Sequence, residues 1–340
     1  MANQMKVNVR SKIIFLLLLA FILGVINFGR DENPALEEAR TVYVVNEGDD
    51  TVSVIDGISR SVIATTPVGK SPHYIVLDPS GRYAYVTNGE SNSVTILDTA
   101  THRVVSTIEG VGRDPQQIVI HPKGKVAYVP CYDTANVHVI DLARKRVTVT
   151  IPVGENPQSI AISPDGGRVY LVNLHSPQAM VIDTATNKVI AKFTTGEGAS
   201  GIAISPDGQR LYLGGHGRGM WMGKGEMNRD VRVMDARTFV ELLQIRCGIM
   251  PIAVKFSRDG KQAYVVSHGS GELHIIDTAT NKATSVRVGS DCRDVASSKD
   301  GKWAYVSNRG DNTVSVVDVA ARKAVTTIHV GKSPVGVALK

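Results

Sequence analysis

The side chains able to do chemistry are few and widely scattered. The 340-residue chain has nine histidines, three cysteines and eight methionines. Imidazole, thiolate and thioether are the ligands that copper and haem iron take. His216, Met220, Met222, Cys131, Cys247 and Cys292 are the candidates for that role. No H-x-x-H, C-x-x-C or C-x-x-C-H spacing brings two of them together along the chain. A haem or copper centre, the minority reading, would have to gather ligands from separate segments, and nothing in the sequence requires a cofactor. A second set suits the holding of a polar ligand: His73, Arg113, Gln116, Gln158, His175, His216, Trp221, His268, Arg293 and Asp294. Hydrolytic and phosphoryl chemistry have less support. There is no Gly-x-Ser-x-Gly, and Gly217-Arg-Gly219 lacks the Lys-Ser/Thr of a phosphate-cradling loop.

What positions these residues is a repeat. Asp56, Asp98, Asp141, Asp183, Asp235, Asp277 and Asp318 each close an apolar run of the type V-x-V-I-D, at intervals of 42, 43, 42, 52, 42 and 41 residues. A period in the forties means one supersecondary unit copied seven times. Each copy is too small to bury its own core and must stack on its neighbours. One unit runs Pro157–Gly166, Arg168–Asn173, Ala179–Asp183 and Lys188–Phe193. These are four short β-rich runs, called A to D, divided by turn chemistry. Ser-Pro-Asp-Gly at 163–166 and 205–208 gives a tight A–B turn, with Pro presetting φ and Gly accepting a left-handed conformation. The recurring aspartate caps the C–D turn through backbone N–H groups, which makes it structural. B and C runs are apolar on both faces, as strands sandwiched between sheets must be. D runs alternate, and Pro152 ends one of them, as suits an edge strand.

Radial four-stranded sheets make an all-β, seven-bladed β-propeller over 41–340. B, C and D begin at Val42, but the first A run starts near Pro72 and the last is 334–340. The C-terminal strand is therefore expected to complete the first blade and close the ring.

The formal charge of +6 is misleading, because residues 1–30 carry four basic and no acidic side chains. The remaining 34 basic and 32 acidic residues nearly balance. That argues against a nucleic-acid partner. The apolar run 13–28 behind a basic flank reads as a signal peptide or signal anchor within 1–28, followed by a linker at 29–40. The expectation is an exported protein, periplasmic or extracellular, with membrane anchoring through 13–28 if the segment is retained. Three cysteines make no disulfide framework.

Tyr85-Val-Thr-Asn88, with the Ser-Pro-Asp-Gly turns and the Val-Gly-x-x-Pro elements, resembles the YVTN-type β-propeller repeat family of exported bacterial and archaeal proteins. The resemblance covers about 41–340. It implies the propeller fold and a monomeric ring. Related propellers include the haem d1 domain of cytochrome cd1 nitrite reductase and its biogenesis proteins, lactonase-type propellers and quinohaemoprotein subunits. A lactonase-type metal site would need axial carboxylates, for which Asp294 is the candidate, with Asp291 or Glu155 less central.

In a symmetric array, framework positions repeat and functional positions deviate. The B–C and D–A loops share one face of a propeller, and that is where the copies disagree. The residue after the D–A proline is His73, Gln116, Gln158, Ser200, Ile252, Arg293 and Val335 around the ring. His175, His216 and His268 sit just inside B–C loops, Cys131 replaces the usual Asn, and Cys247 and Cys292 fall in D–A loops. The fifth B–C loop, 215–229, is long and carries Met220, Trp221, Met222 and Met227. The expected function is binding of a small molecule or protein partner at this face. The alternative is an extracytoplasmic oxidoreductase or cofactor-handling protein.

Overall fold

A computed structural model of the chain describes residues 41–196, 198–217 and 227–340. Met220, Trp221 and Met222, and the signal and linker segments, lie outside the described residues.

Twenty-eight strands form seven four-stranded antiparallel sheets. The first blade combines β1 (Thr41–Asn46), β2 (Thr51–Asp56) and β3 (Ser61–Pro67) with β28 (Pro334–Leu339). Val42 pairs with Leu339, Tyr43 with Ala338 and Val44 with Val337. The C-terminal strand thus closes the ring, because the chain enters the first blade one strand late.

The packing explains the pattern of runs. A separate apolar core fills each gap between neighbouring blades, including the one between the seventh and the first. B and C strands contribute to cores on both sides. β1 is buried at five of six positions, whereas β3 is exposed at most of its length. The repeated tyrosines of the B strands reach across gaps: Tyr43 Oη donates to Thr99 O at 3.1 Å, and Tyr128 Oη donates to Asn187 Oδ1 at 3.0 Å.

The ruler aspartates act as turn caps. Asp56 Oδ1 accepts from Ile58 N and Ser59 N at 3.1 and 2.6 Å, and Asp98, Asp235 and Asp277 repeat the arrangement. These bonds hold their carboxyls below the usual range. The A–B and C–D turns make one end of the ring, here the turn face. The B–C and D–A loops make the other, the mouth face.

Candidate functional site

Each blade's inner strand begins at the mouth face, so the residue following the D–A turn is delivered to the axis. Those strands are β4 (Pro72–Leu77), β8 (Val119–Ile120), β12 (Pro157–Ile162), β16 (Ala199–Ile204), β20 (Pro251–Phe256) and β24 (Cys292–Ser297), with β28 the seventh. A cavity of about 170 Å³ lies where they converge. Its walls include His73, Gln116, Gln158, His216, Arg293 and Asp294. Residues singled out from separate strands and loops of the sequence therefore meet around one small space.

Among the described residues at this cavity, Gln158 Oε1 and Ser200 Oγ are buried with neither a hydrogen bond nor an ion pair. A buried polar atom left unpaired costs about 1–3 kcal/mol. A bound polar group would remove that cost.

Around the cavity runs a chain of charged and polar contacts. His73 Nε2 is 3.0 Å from Asp114 Oδ1, and its Nδ1 is 3.9 Å from Glu47 Oε1. Arg309 joins Glu47 at 3.2 Å to Asp291 at 3.5 Å. His268 Nδ1 and Arg293 Nε both lie 2.7 Å from Asp291 Oδ1, and Arg293 Nη2 donates to Asp291 Oδ2 at 3.3 Å. Burial works to raise the Asp291 carboxyl, but His268 and Arg293 bring it down to about 2. The rings of His268 and His216 lie 6.5 Å apart, and His175 contacts Tyr132 Oη at 3.0 Å. Burial, then the neighbouring His268, Arg293 and His175, pushes His216 down to about 4, so its imidazole is neutral at pH 7.

Other sequence candidates fall elsewhere. Arg113 is exposed and does not line the cavity, while His175 and His268 lie on the surrounding rim. The three cysteines are on the mouth side of the ring, but their sulfurs point into inter-blade cores. Cys131 Sγ donates to Val111 O at 2.8 Å and Cys292 Sγ to Ser267 O at 3.4 Å. Burial pushes all three thiols up to about 12. Thiols so placed pack as apolar groups, whereas a metal ligand must be a thiolate with access to the metal.

Comparing the repeats in sequence missed Tyr74, Gln117 and Lys255. Gln117 ties blades together, accepting from Ser159 Oγ at 2.8 Å and Ile160 N at 3.1 Å. Lys255 Nζ donates to Tyr74 Oη across the channel and lies 3.9 Å from Asp294 Oδ1. Hollows of about 330 and 310 Å³ flank this bridge. Asp294 is buried; desolvation raises its pKa, against the opposing pull of Lys255 and of Val337 N, which donates to Oδ2 at 3.1 Å. Only the position after a deviating residue, or a few beyond, marks these groups in the sequence. A larger hollow of about 1050 Å³ lies off the axis, beside residues 227–232. Its Arg232 and Arg246 are engaged by Thr195 O at 2.8 Å and Asp230 at 3.4 Å.

Seven blades around a small polar mouth place the chain among the β-propellers. It matches the cytochrome D1 heme domain family over residues 86–207 and 225–336, more than half its length, and belongs to that family. Residues 5–136 also match the YNCE-like beta-propeller family. Among solved structures, Kuenenia stuttgartiensis hydrazine synthase is similar at 22% identity and a TM-score of 0.74, over 82% of this chain and 92% of that one. A functionally unknown protein from Desulfotomaculum acetoxidans is similar at 15% identity and a TM-score of 0.76, over 88% and 98%. At these identities the likeness is one of fold. No curated protein matches the chain.

The family name raises the question of haem. The described residues do not fit it. The space beside His216, about 170 Å³, has room for a molecule of a few heavy atoms and not for a macrocycle the size of haem. Among the described residues no group of three His, Cys, Asp or Glu side chains is placed to hold a metal ion.

Proposed function

We propose that this propeller binds a small polar molecule at its central mouth, and that it does so outside the cytoplasm as a monomeric ring. The observation that carries this reading is the pair of buried, unpartnered atoms, Gln158 Oε1 and Ser200 Oγ, beside Arg293 at the point where the repeats deviate. The ligand presents a hydrogen-bond donor to Gln158 and an acceptor or anionic group to Arg293. Amino acids and hydroxy acids have this chemistry and this size. The rim of His73, Glu47, Arg309, Asp291 and His268 holds the loops in register around it. The apolar run 13–28 acts as the export signal.

The test is a calorimetric and thermal-shift screen of such compounds, followed by Gln158→Leu and Ser200→Ala. Each substitution removes a buried unsatisfied group, so the unliganded protein should be as stable or more so. Each should weaken binding about tenfold, the value of one lost hydrogen bond. Binding that is indifferent to both would refute the assignment.

A second reading, an extracytoplasmic oxidoreductase or cofactor-handling protein, is favoured by the family and by the neutral imidazole of His216. An absorption spectrum and metal analysis of protein from its native compartment separates the two. A Soret band or stoichiometric copper supports the second; a colourless, metal-free protein that binds the screened ligand supports the first.

A further inference from the structure

The near balance of charge in the folded region conceals a sorting by face. Count the A–B and C–D turns with the strand-end residues that flank them. The turn face then carries 20 lysines and arginines against 13 acidic side chains. The B–C and D–A loops, counted in the same way among the described residues, carry 7 cations and 12 acids. One end of the ring is basic and the other acidic, on a body that is nearly neutral as a whole. The consecutive Arg144-Lys145-Arg146 of the third blade, all exposed, is the densest part of the basic end.

The aspartates of the C–D turns are fixed chiefly by their own backbones. Their carboxylates accept the backbone N–H groups of their own turns. Among the described residues, the side-chain ion pairs of the turn-face acids are Arg144–Asp141, Lys261–Asp259 and Arg232–Glu241, the last to an arginine within the neighbouring strand. Most of the cations of this face point into solvent.

A second observation is independent of charge. Among the described residues, ten large apolar side chains are exposed. Apart from Met227, all lie in C–D turns or within the first three residues of outer strands, which is where those strands leave the turn face. Ile58 and Val240, 53% and 59% exposed, stand in the turns themselves. Val62, Ile63, Val104, Val105 and Leu242 form a collar just behind them. Basic side chains around exposed aliphatic groups are the composition of a surface that sits at a lipid interface, the cations on phosphate and the apolar groups among the upper acyl carbons.

The point of chain entry agrees. Thr41 opens β1 opposite Asp56, at the turn face. The apolar run 13–28 precedes it by 12 residues of sequence, which span at most about 40 Å when extended. We infer that the turn face docks on a bilayer containing anionic phospholipid, leaving the mouth cavity turned toward the aqueous phase. The occupant is the lipid surface itself, recognised by phosphate charge and by shallow insertion of Ile58 and Val240.

The buried cysteines make a selective test possible. A single fluorophore is attached to full-length protein through Ala185→Cys, exposed in a C–D turn, or through Glu90→Cys, exposed in a B–C loop. The protein is mixed with vesicles of phosphatidylcholine alone or with about one-third phosphatidylglycerol, each holding a quencher in its acyl region. The label at 185 should be quenched on the anionic vesicles and much less on the neutral ones, and the label at 90 on neither. Raising salt to 1 M, which shortens the screening length to about 3 Å, should release at least half of the quenching at 185. R144E/K145E/R146E should do the same at low salt, with an unchanged melting temperature showing that the ring is intact. Equal quenching at 185 and 90, or quenching only at 90, overturns the inference. So does binding to a soluble polyanion, such as heparin or duplex DNA, that is as tight as binding to the anionic vesicles.

Discussion

Ending the chain at Ser333 removes β28 and should abolish the closed ring. The cost follows from what that strand does. Its ladder to β1 includes the pairs Val42–Leu339, Tyr43–Ala338 and Val44–Val337. Backbone hydrogen bonds contribute about 1 kcal/mol each on balance. Val337 and Ala338 are 3% and 8% exposed, and burial of a Val side chain is worth about 1.5–3 kcal/mol. Val335 O also accepts from Ser307 Oγ, and Val337 N donates to the buried Asp294. Losing that last donor leaves a carboxyl deep in the channel with less support. Together these come to on the order of 10 kcal/mol, against a typical total stability of about 5–15 kcal/mol. The same cut exposes β1, an apolar strand that would then be an open edge. The expected product is insoluble or assembles into oligomers by pairing β1 with another copy. Light scattering coupled to gel filtration, with a thermal melt, reads the outcome. A truncated protein that remains monomeric with a melting temperature near that of the full chain would refute the idea that β28 closes the ring.

Two further outcomes are expected. Asp294 has a raised pKa in the fold, so its protonated form favours folding: that contribution is whole below the unfolded value near 3.9 and is lost as pH climbs through the folded value. Asp294→Asn should therefore match the parent at pH 3.5 and exceed it in urea midpoint at pH 7, each tenfold difference in proton affinity between fold and unfolded chain being worth about 1.4 kcal/mol; parallel pH profiles for the two proteins would sink the account of burial. Cys131, Cys247 and Cys292 should resist alkylation in the native protein at pH 8 and all react once it is unfolded, as counted by mass spectrometry; rapid native labelling of any one would show that its thiol is open to solvent.

The repeat could be read because it is local chemistry under a global constraint. An aspartate caps each C–D turn with its own neighbours, so its role and period are visible in any one copy. The B and C runs are apolar on both sides because every blade is sandwiched, and the missing first A run announces β28. The mouth was legible for a different reason. Symmetry sends every residue after a D–A turn to the axis, so His73, Gln116, Gln158 and Arg293 could be grouped without knowing a single distance.

Three things depended on the tertiary arrangement. Which way a side chain leaves a loop is settled by packing, and it turned Cys131, Cys247 and Cys292 inward while leaving His216 at the cavity. Contacts across the ring, such as Lys255 to Tyr74 and Asp294, join residues up to 181 positions apart and have no signature in either segment. The sorting of charge by face is the third. Its residues are spread evenly along a chain that sums almost to neutrality, and only when alternate turns are folded onto opposite ends does a basic surface separate from an acidic one. Periodicity is a property of the string and survives in it; direction and proximity arise from closure of the ring.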